Sequence, residues 1–197
     1  MKRTLSLVAL AAVASLAADI KYGINAEALV GMPSLDVEGV DAKIGFGGNV
    51  GAGARIAVAE KFSVRPTVGF EMIQHGTEYS EEFMGITIEG SSTMTSQFLT
   101  VGCGLEYSVM PNLFVAVTPE YDLSLGGTGK SEFTVAGETE SVEGDIEEEE
   151  SPMLVGLGLG YGINEQIAIT AGYKLALTEY SEKYKLNKVS VGVRYEL

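Results

Sequence analysis

The sequence predicts an all-β fold, in which eight antiparallel strands run up and down and close into a barrel that crosses a membrane. Three observations carry that prediction. First, residues 188–197 alternate without interruption, with Val189, Val191, Val193, Tyr195 and Leu197 on one face and Lys188, Ser190, Gly192, Arg194 and Glu196 on the other. The segment before them repeats the pattern, Ile167, Ile169, Ala171, Tyr173, Leu175 and Leu177 against Ala168, Thr170, Gly172, Lys174, Ala176 and Thr178; a period of two is that of a strand with one apolar face. Second, the connections alternate in length, which is how membrane barrels set short turns at one end and long loops at the other. Third, after residue 17 no stretch approaches the roughly 20 consecutive apolar residues of a spanning helix, whereas ten-residue strands suffice for a barrel.

The chain opens with Lys2 and Arg3, an apolar run from Leu5 to Val13, and the small-residue site Ala14, Ser15, Leu16, Ala17. Residues 1–17 therefore read as a secretory signal peptide, cleaved after Ala17 or, second, after Ala18, and residues 18–197 as one barrel domain. The whole sequence carries a formal charge of −14; without Lys2 and Arg3, 11 bases face 27 acids, giving −16. That charge excludes nucleic acid as a partner. Cys103 is the single cysteine, with no internal disulfide to form, and shares its parity with the apolar Leu99, Val101, Leu105 and Tyr107.

The first strand spans residues 20–30, with Ile20, Tyr22, Ile24, Ala26, Ala28 and Val30 against Lys21, Gly23, Asn25, Glu27 and Leu29. The second, 44–58, sets Phe46, Val50, Ala52, Ala54, Ile56 and Val58 against Gly47, Asn49, Gly51, Gly53 and Arg55. The third, 62–73, opposes Val64, Val68, Phe70 and Met72 to Arg65, Thr67, Gly69 and Glu71. The fourth, 95–109, has Thr100, Gly102, Gly104 and Glu106 on its polar face, and the fifth, 113–125, has Glu120, Asp122 and Ser124. In the sixth, 153–163, Met153, Val155, Leu157, Leu159, Tyr161 and Ile163 alternate with Leu154 and four glycines. The seventh and eighth are those described above. Residues 59–61, 110–112 and 164–166 are the short turns; 31–43, 74–94, 126–152 and 179–187 are the long loops. Residues 105–123 align without a gap on 159–177 and on 54–72, parity preserved, so the unit of construction is a hairpin. Pro66 and Pro119 fall inside strands, where each removes a ladder hydrogen bond, and a bulge is expected at each.

Parity alone leaves open which face is inside, and size decides it. Eight strands enclose a lumen just wide enough for side chains to fill, too small for every Leu, Ile, Val, Phe and Tyr of the apolar face. The opposite face, mostly Gly, Ala, Thr and Ser, fits a crowded interior and would make a poor water-exposed surface. Apolar out and polar in also satisfies every backbone group in hydrocarbon. Tyr22, Tyr107, Tyr161 and Tyr195 near the short turns, and Phe46, Phe70 and Tyr121 nearer the loops, mark two interfacial belts.

With this pattern in place, the chain resembles the small eight-stranded outer-membrane β-barrel superfamily, that of the OmpA transmembrane domain, OmpX and the opacity-type porin-like proteins. The resemblance rests on the repeated strand-turn-strand unit GLEYSVMPNLFVAVTPEYDL and on the ending SVGVRYEL, whose Ser190, Gly192, Tyr195 and Leu197 match the family's C-terminal assembly signal apart from Leu in place of the commoner Phe. It implies a Gram-negative outer-membrane location, outer-membrane lipid around the barrel, and the barrel-assembly machinery as a partner. Members are variously adhesins, resistance factors and structural proteins, so fold does not by itself give role.

The inward charges are Lys21, Glu27, Arg55, Arg65, Glu71, Glu106, Glu120, Asp122, Lys174, Arg194 and Glu196. They are expected to pair in a network that plugs the lumen, because an unpaired buried charge costs several kcal/mol; the alternative is a narrow polar conduit for small solutes. The acids of the third long loop, the run Glu147, Glu148, Glu149 and Glu150 above all, offer oxygen to a divalent cation but lack the spacing of a calcium loop, and read as a solvated, self-repelling segment. YSEEFMGITIEGSS and SEFTVAGETESV alternate around small residues and are expected to extend their hairpins beyond the membrane, with edges open to an extracellular protein or surface ligand. His75, the only histidine, reads as a rim residue; pairing it with Ser80 as a lipid hydrolase is the remote alternative. No cofactor motif is present. The expected role is non-enzymatic: surface interaction or adhesion, or envelope integrity.

Overall fold

The computed structural model describes residues 20–35, 37, 39–83, 86–146, 150–179 and 184–197. The segment read as a signal peptide and Glu147, Glu148 and Glu149 lie outside the described residues. Nine strands form: β1 (Ile20–Leu35), β2 (Val40–Ala59), β3 (Phe62–Phe83), β4 (Ile86–Met110), β5 (Leu113–Val135), β6 (Glu138–Ile146), β7 (Met153–Gly162), β8 (Ile167–Ala176) and β9 (Tyr184–Glu196). All pairings are antiparallel. Eight strands close a ring, β1-β2-β3-β4-β5-β7-β8-β9 and back to β1, with β6 hydrogen-bonded to β5 alone. Closure leaves no strand edge in the region that hydrocarbon covers.

The burial is that of a membrane barrel, inverted from a soluble protein. Phe46 is 67% exposed and Leu157 59%, while Glu71 and Asp122 are fully buried. The seven aromatic residues assigned to interfacial belts all face outward, and Phe62 packs on Tyr107 with ring centroids 4.9 Å apart. Small residues make room inside: a Cβ on Gly160 would lie 2.0 Å from the Phe114 ring, which fills the lumen at that point.

The wall is uneven in height. β7 and β8 have ten residues each, enough to cross a bilayer, whereas β3, β4 and β5 have 22, 25 and 23. The surplus lies at the long-loop end, so the second and third long loops are largely ladder. Residues 40–43, 76–79, 88–95, 128–135 and the whole of β6 make a five-stranded sheet rising beyond the barrel. The alternating motifs extend the hairpins because each continues to find a partner of the same register.

Pro66 and Pro119 do not produce bulges. Register is unbroken from Gly53↔Thr67 to Ile56↔Val64 and from Gly102↔Glu120 to Leu105↔Val117, with only the pair that contains each proline and the pair beside it missing. The N–H and C=O of a strand residue both point to one neighbour, so the proline weakens one ladder and leaves the other whole; Pro66↔Cys103 and Pro119↔Val155 sit in continuous pairing. Bulges fall elsewhere, at Lys43/Phe46 and Ser96/Phe98 at the foot of the outer sheet and at Ala57/Ala59 and Ser108/Met110 by the short turns. The Ser96/Phe98 bulge uses an extra residue on β5 beside Gly126, whose φ of 90° suits only glycine. One extra residue exchanges the faces above it. Phe133 and Val135, which continue the outward parity of Leu123 and Leu125, are thereby turned to the inner face, opposite Gly90 and Ile88.

Candidate functional site

Two places concentrate functional side chains, the lumen and the outer sheet. In the lumen nearest the short turns, Glu106 of β4 gathers three guanidinium groups. Arg65 lies 3.0 Å away, Arg194 2.8 Å and Arg55 3.8 Å, while Arg65 also binds Glu196 and Arg55 donates to Ser63 Oγ at 3.2 Å. Arg194 stacks over Phe114 at 5.0 Å. Lys21, half-buried beside this group, is in no ion pair among the described residues. Toward the loops a second layer forms. Lys174 donates to both oxygens of Glu120 at 2.7 and 3.0 Å and approaches Glu27 at 3.8 Å. Lys188 bridges Glu71 and Asp122, the latter at 2.6 Å, and lies 5.2 Å over the Phe98 ring. A cavity of ≈ 120 Å³ lies between the layers, lined by Asn25, Asn49, Thr100, Thr118, Lys174 and Arg194 among others.

Lys188 was absent from the inward charges named from the sequence, although its parity with Ser190, Gly192 and Arg194 placed it on the polar face. It is the most buried base of the lumen, 1% exposed. Glu71, Glu120 and Asp122 bring carboxylate oxygens within 4.8 Å of one another, a spacing that suits a cation. Two ammonium groups already supply that charge, so the cluster is an ion-pair layer.

Above it the lumen turns apolar, contrary to the expectation of a polar interior throughout. Leu29, Ile73, Phe98, Tyr184 and Leu186 pack together and cap the charges. His75 joins them: it is 2% exposed, with Nε2 3.1 Å from Ser96 Oγ and Nδ1 2.9 Å from the Tyr184 hydroxyl. The rim position expected for it is therefore corrected. Nor does it face Ser80, which lies five residues along β3 and so on the opposite face. The His75–Ser96 pair is closed to any lipid, since Ser96 is fully buried.

Ser190 and Gly192 point into the lumen, whereas Tyr195 and Leu197 face outward. Glu150, the described member of the acidic run, is exposed. Two layers of ion pairs lie under this apolar cap; no stable conductance is expected in planar bilayers, and steady, ion-selective steps would overturn a plugged lumen.

The outer sheet has two unlike faces. Its outer face is polar, with Lys43 paired to Glu78 at 2.7 Å and Lys130 to Glu132 at 2.9 Å and Glu143 at 3.9 Å. The hydrogen bond to Glu132 and the charge beside it raise the Lys130 ammonium above its ordinary value. Its inner face carries the apolar side chains, with Tyr79 covering Gly90 and with Phe133, Val135 and Val142 between 45% and 65% exposed, and near the β5–β6 turn it also carries Glu138 and Glu140 opposite Val135 and Phe133.

The family described as outer membrane protein beta-barrel domain matches residues 4–196. Among solved structures, Ail, the attachment invasion locus protein of Yersinia pestis, is 17% identical over 90% of this chain and 98% of its own, with a TM-score of 0.50. The same protein in complex with the heparin analogue sucrose octasulfate gives 16% identity, 91% and 99% coverage and a TM-score of 0.50. Neisserial surface protein A gives 14%, 89%, 97% and 0.48. At such identities the likeness concerns the fold. None of the curated proteins compared matches the sequence.

Proposed function

Because this chain belongs to the outer membrane protein β-barrel domain family, we propose that its barrel is a non-transporting, non-enzymatic anchor and that its work is surface interaction, done by the sheet at the long-loop end. The observation that carries this reading is the contrast between the two ends of one structure. The lumen is filled with ion pairs and capped by apolar side chains, so little is left there for a solute or a substrate, while β3, β4 and β5 continue well past the length needed to cross a bilayer. A membrane protein has no need of a five-stranded ladder in water unless that ladder meets something.

Export by residues 1–17, insertion among outer-membrane lipids, and assembly through a last strand carrying Ser190, Gly192, Tyr195 and Leu197 complete the proposal. The ligand differs in charge from the sulfated heparin analogue seen with Ail. The exposed strand β6 carries Glu138, Glu140, Glu143 and Asp145 and no base, which repels a polyanion.

The test is adherence of cells displaying the protein to surfaces coated with extracellular proteins. Replacing residues 127–146 by a short Gly/Ser turn should bring adherence to background while the unboiled barrel keeps its shifted mobility on a detergent gel. Unchanged adherence with a folded barrel would refute the reading.

A further inference from the structure

We propose that β6 accepts an extended, cationic segment of a partner protein as an additional strand of the outer sheet. The proposal rests on the surface-interaction reading and adds the partner's chemistry and mode of binding. β6 pairs in unbroken register with β5, from Gly127↔Ile146 to Val135↔Glu138, and its other edge has no neighbour among the described residues. Eight of its nine residues are exposed. Sheet edges in water are ordinarily blunted by charged side chains, lysine above all, by proline, a bulge or shortness; the charges of β6 are all acidic, which guards it against neutral or acidic strands and leaves it open to a basic one. β6 (ETESVEGDI) has no lysine, no proline and no bulge, and nine residues exceed the usual strand length of five or six. Its free N–H and C=O groups are thus a template for another strand.

The side chains specify which strand. Pairing with β5 puts Val142 and Ile146 on the inner face together with Glu138 and Glu140, which stand opposite Val135 and Phe133, and puts Glu143 and Asp145 on the outer face. Glu143 shares Lys130 at 3.9 Å with the nearer Glu132, so the outer face keeps surplus negative charge. Acids stand on both faces of β6 and no base on either, so an incoming strand matches it if it is rich in bases, with apolar residues where it passes Val142 and Ile146. A second copy of this chain does not fit, because two β6 edges would bring eight acids and no base together along one ladder.

The experiment uses the full barrel, ¹⁵N-labelled in lipid nanodiscs, and three capped octapeptides: alternating Lys/Val, the same peptide methylated at every amide nitrogen, and alternating Glu/Val. The Lys/Val peptide is expected to protect every second amide along β6 from exchange. The methylated peptide should bind at least about tenfold more weakly, since it has no amide hydrogen to donate across the ladder. The Glu/Val peptide should not bind. A variant carrying Glu138→Gln, Glu140→Gln, Glu143→Gln and Asp145→Asn keeps the strand and should lose most of the affinity. Equal binding of the methylated peptide, binding of the Glu/Val peptide, or protection that spares β6 would each overturn strand addition. Loss of adherence on deleting residues 127–146, with β6 never protected, would refute strand addition and leave the surface-interaction reading standing; adherence indifferent to that deletion would refute the reading itself.

Discussion

Glu106→Ala should destabilise the barrel by about 3–5 kcal/mol, read as a lower urea midpoint in lipid vesicles. Glu106 is 5% exposed at its side chain and is the acid on which Arg65, Arg194 and Arg55 converge. Removing it leaves three guanidinium groups facing one another, with Glu196 holding Arg65 alone. Like charges confined at low dielectric repel strongly. Arg55 is 37% exposed and can turn to solvent, so the cost falls on Arg65 and Arg194. Glu106→Gln, which keeps the hydrogen-bond acceptor and loses the charge, should lie between the variant and the unmodified protein. A loss below about 1 kcal/mol for Glu106→Ala would mean that water screens the network as it does a surface pair.

Leu157→Arg should cost about 2–4 kcal/mol and Ile163→Arg, on the same face, about 0–1, because the penalty for a charge on the lipid face depends on depth. Leu157 stands in the middle of β7 and is 59% exposed; Ile163 follows the end of that strand at a short turn and is 57% exposed. Equal accessibility and equal chemistry leave bilayer depth as the difference. The same refolding titration measures both, and equal losses would argue that the apolar face does not lie in hydrocarbon.

Much of this fold was legible in the chain because a strand with two unlike solvents writes its period into the sequence. Val189 to Leu197 and Met153 to Ile163 alternate so strictly that face and neighbour order follow. Glu27, Arg55, Arg65, Glu71, Glu106, Glu120, Asp122, Lys174, Arg194 and Glu196 could be set on the polar face for the same reason. What they bind could not be read, because partners such as Lys174 and Glu120 stand 54 residues apart and meet only across the closed lumen. Lys188 lay at the margin of a strand by alternation, yet β9 begins four residues earlier, at Tyr184, and so places Lys188 deep between Glu71 and Asp122. His75 looked like a rim residue because β3 was expected to stop at Ile73; the strand continues to Phe83 and carries the ring inside.

Eight alternating segments and the bulk of their apolar face determined by themselves that this chain makes a barrel, that the barrel has eight strands, and which face is turned outward, since eight strands leave no room inside for those side chains. Pairing decided the rest. The bulges at Lys43/Phe46 and Ser96/Phe98 exchange the faces of β2 and of β5 above them while β3 and β4 keep their parity, so Phe133 and Val135 leave the outward series to which their own parity assigns them. Only the closed ring chooses the partners of the lumen charges, and only the count of strands around it leaves β6 outside with a free edge. A one-residue insertion is a local event in sequence, but its consequence is set by the register of the neighbouring strand, which no single strand contains.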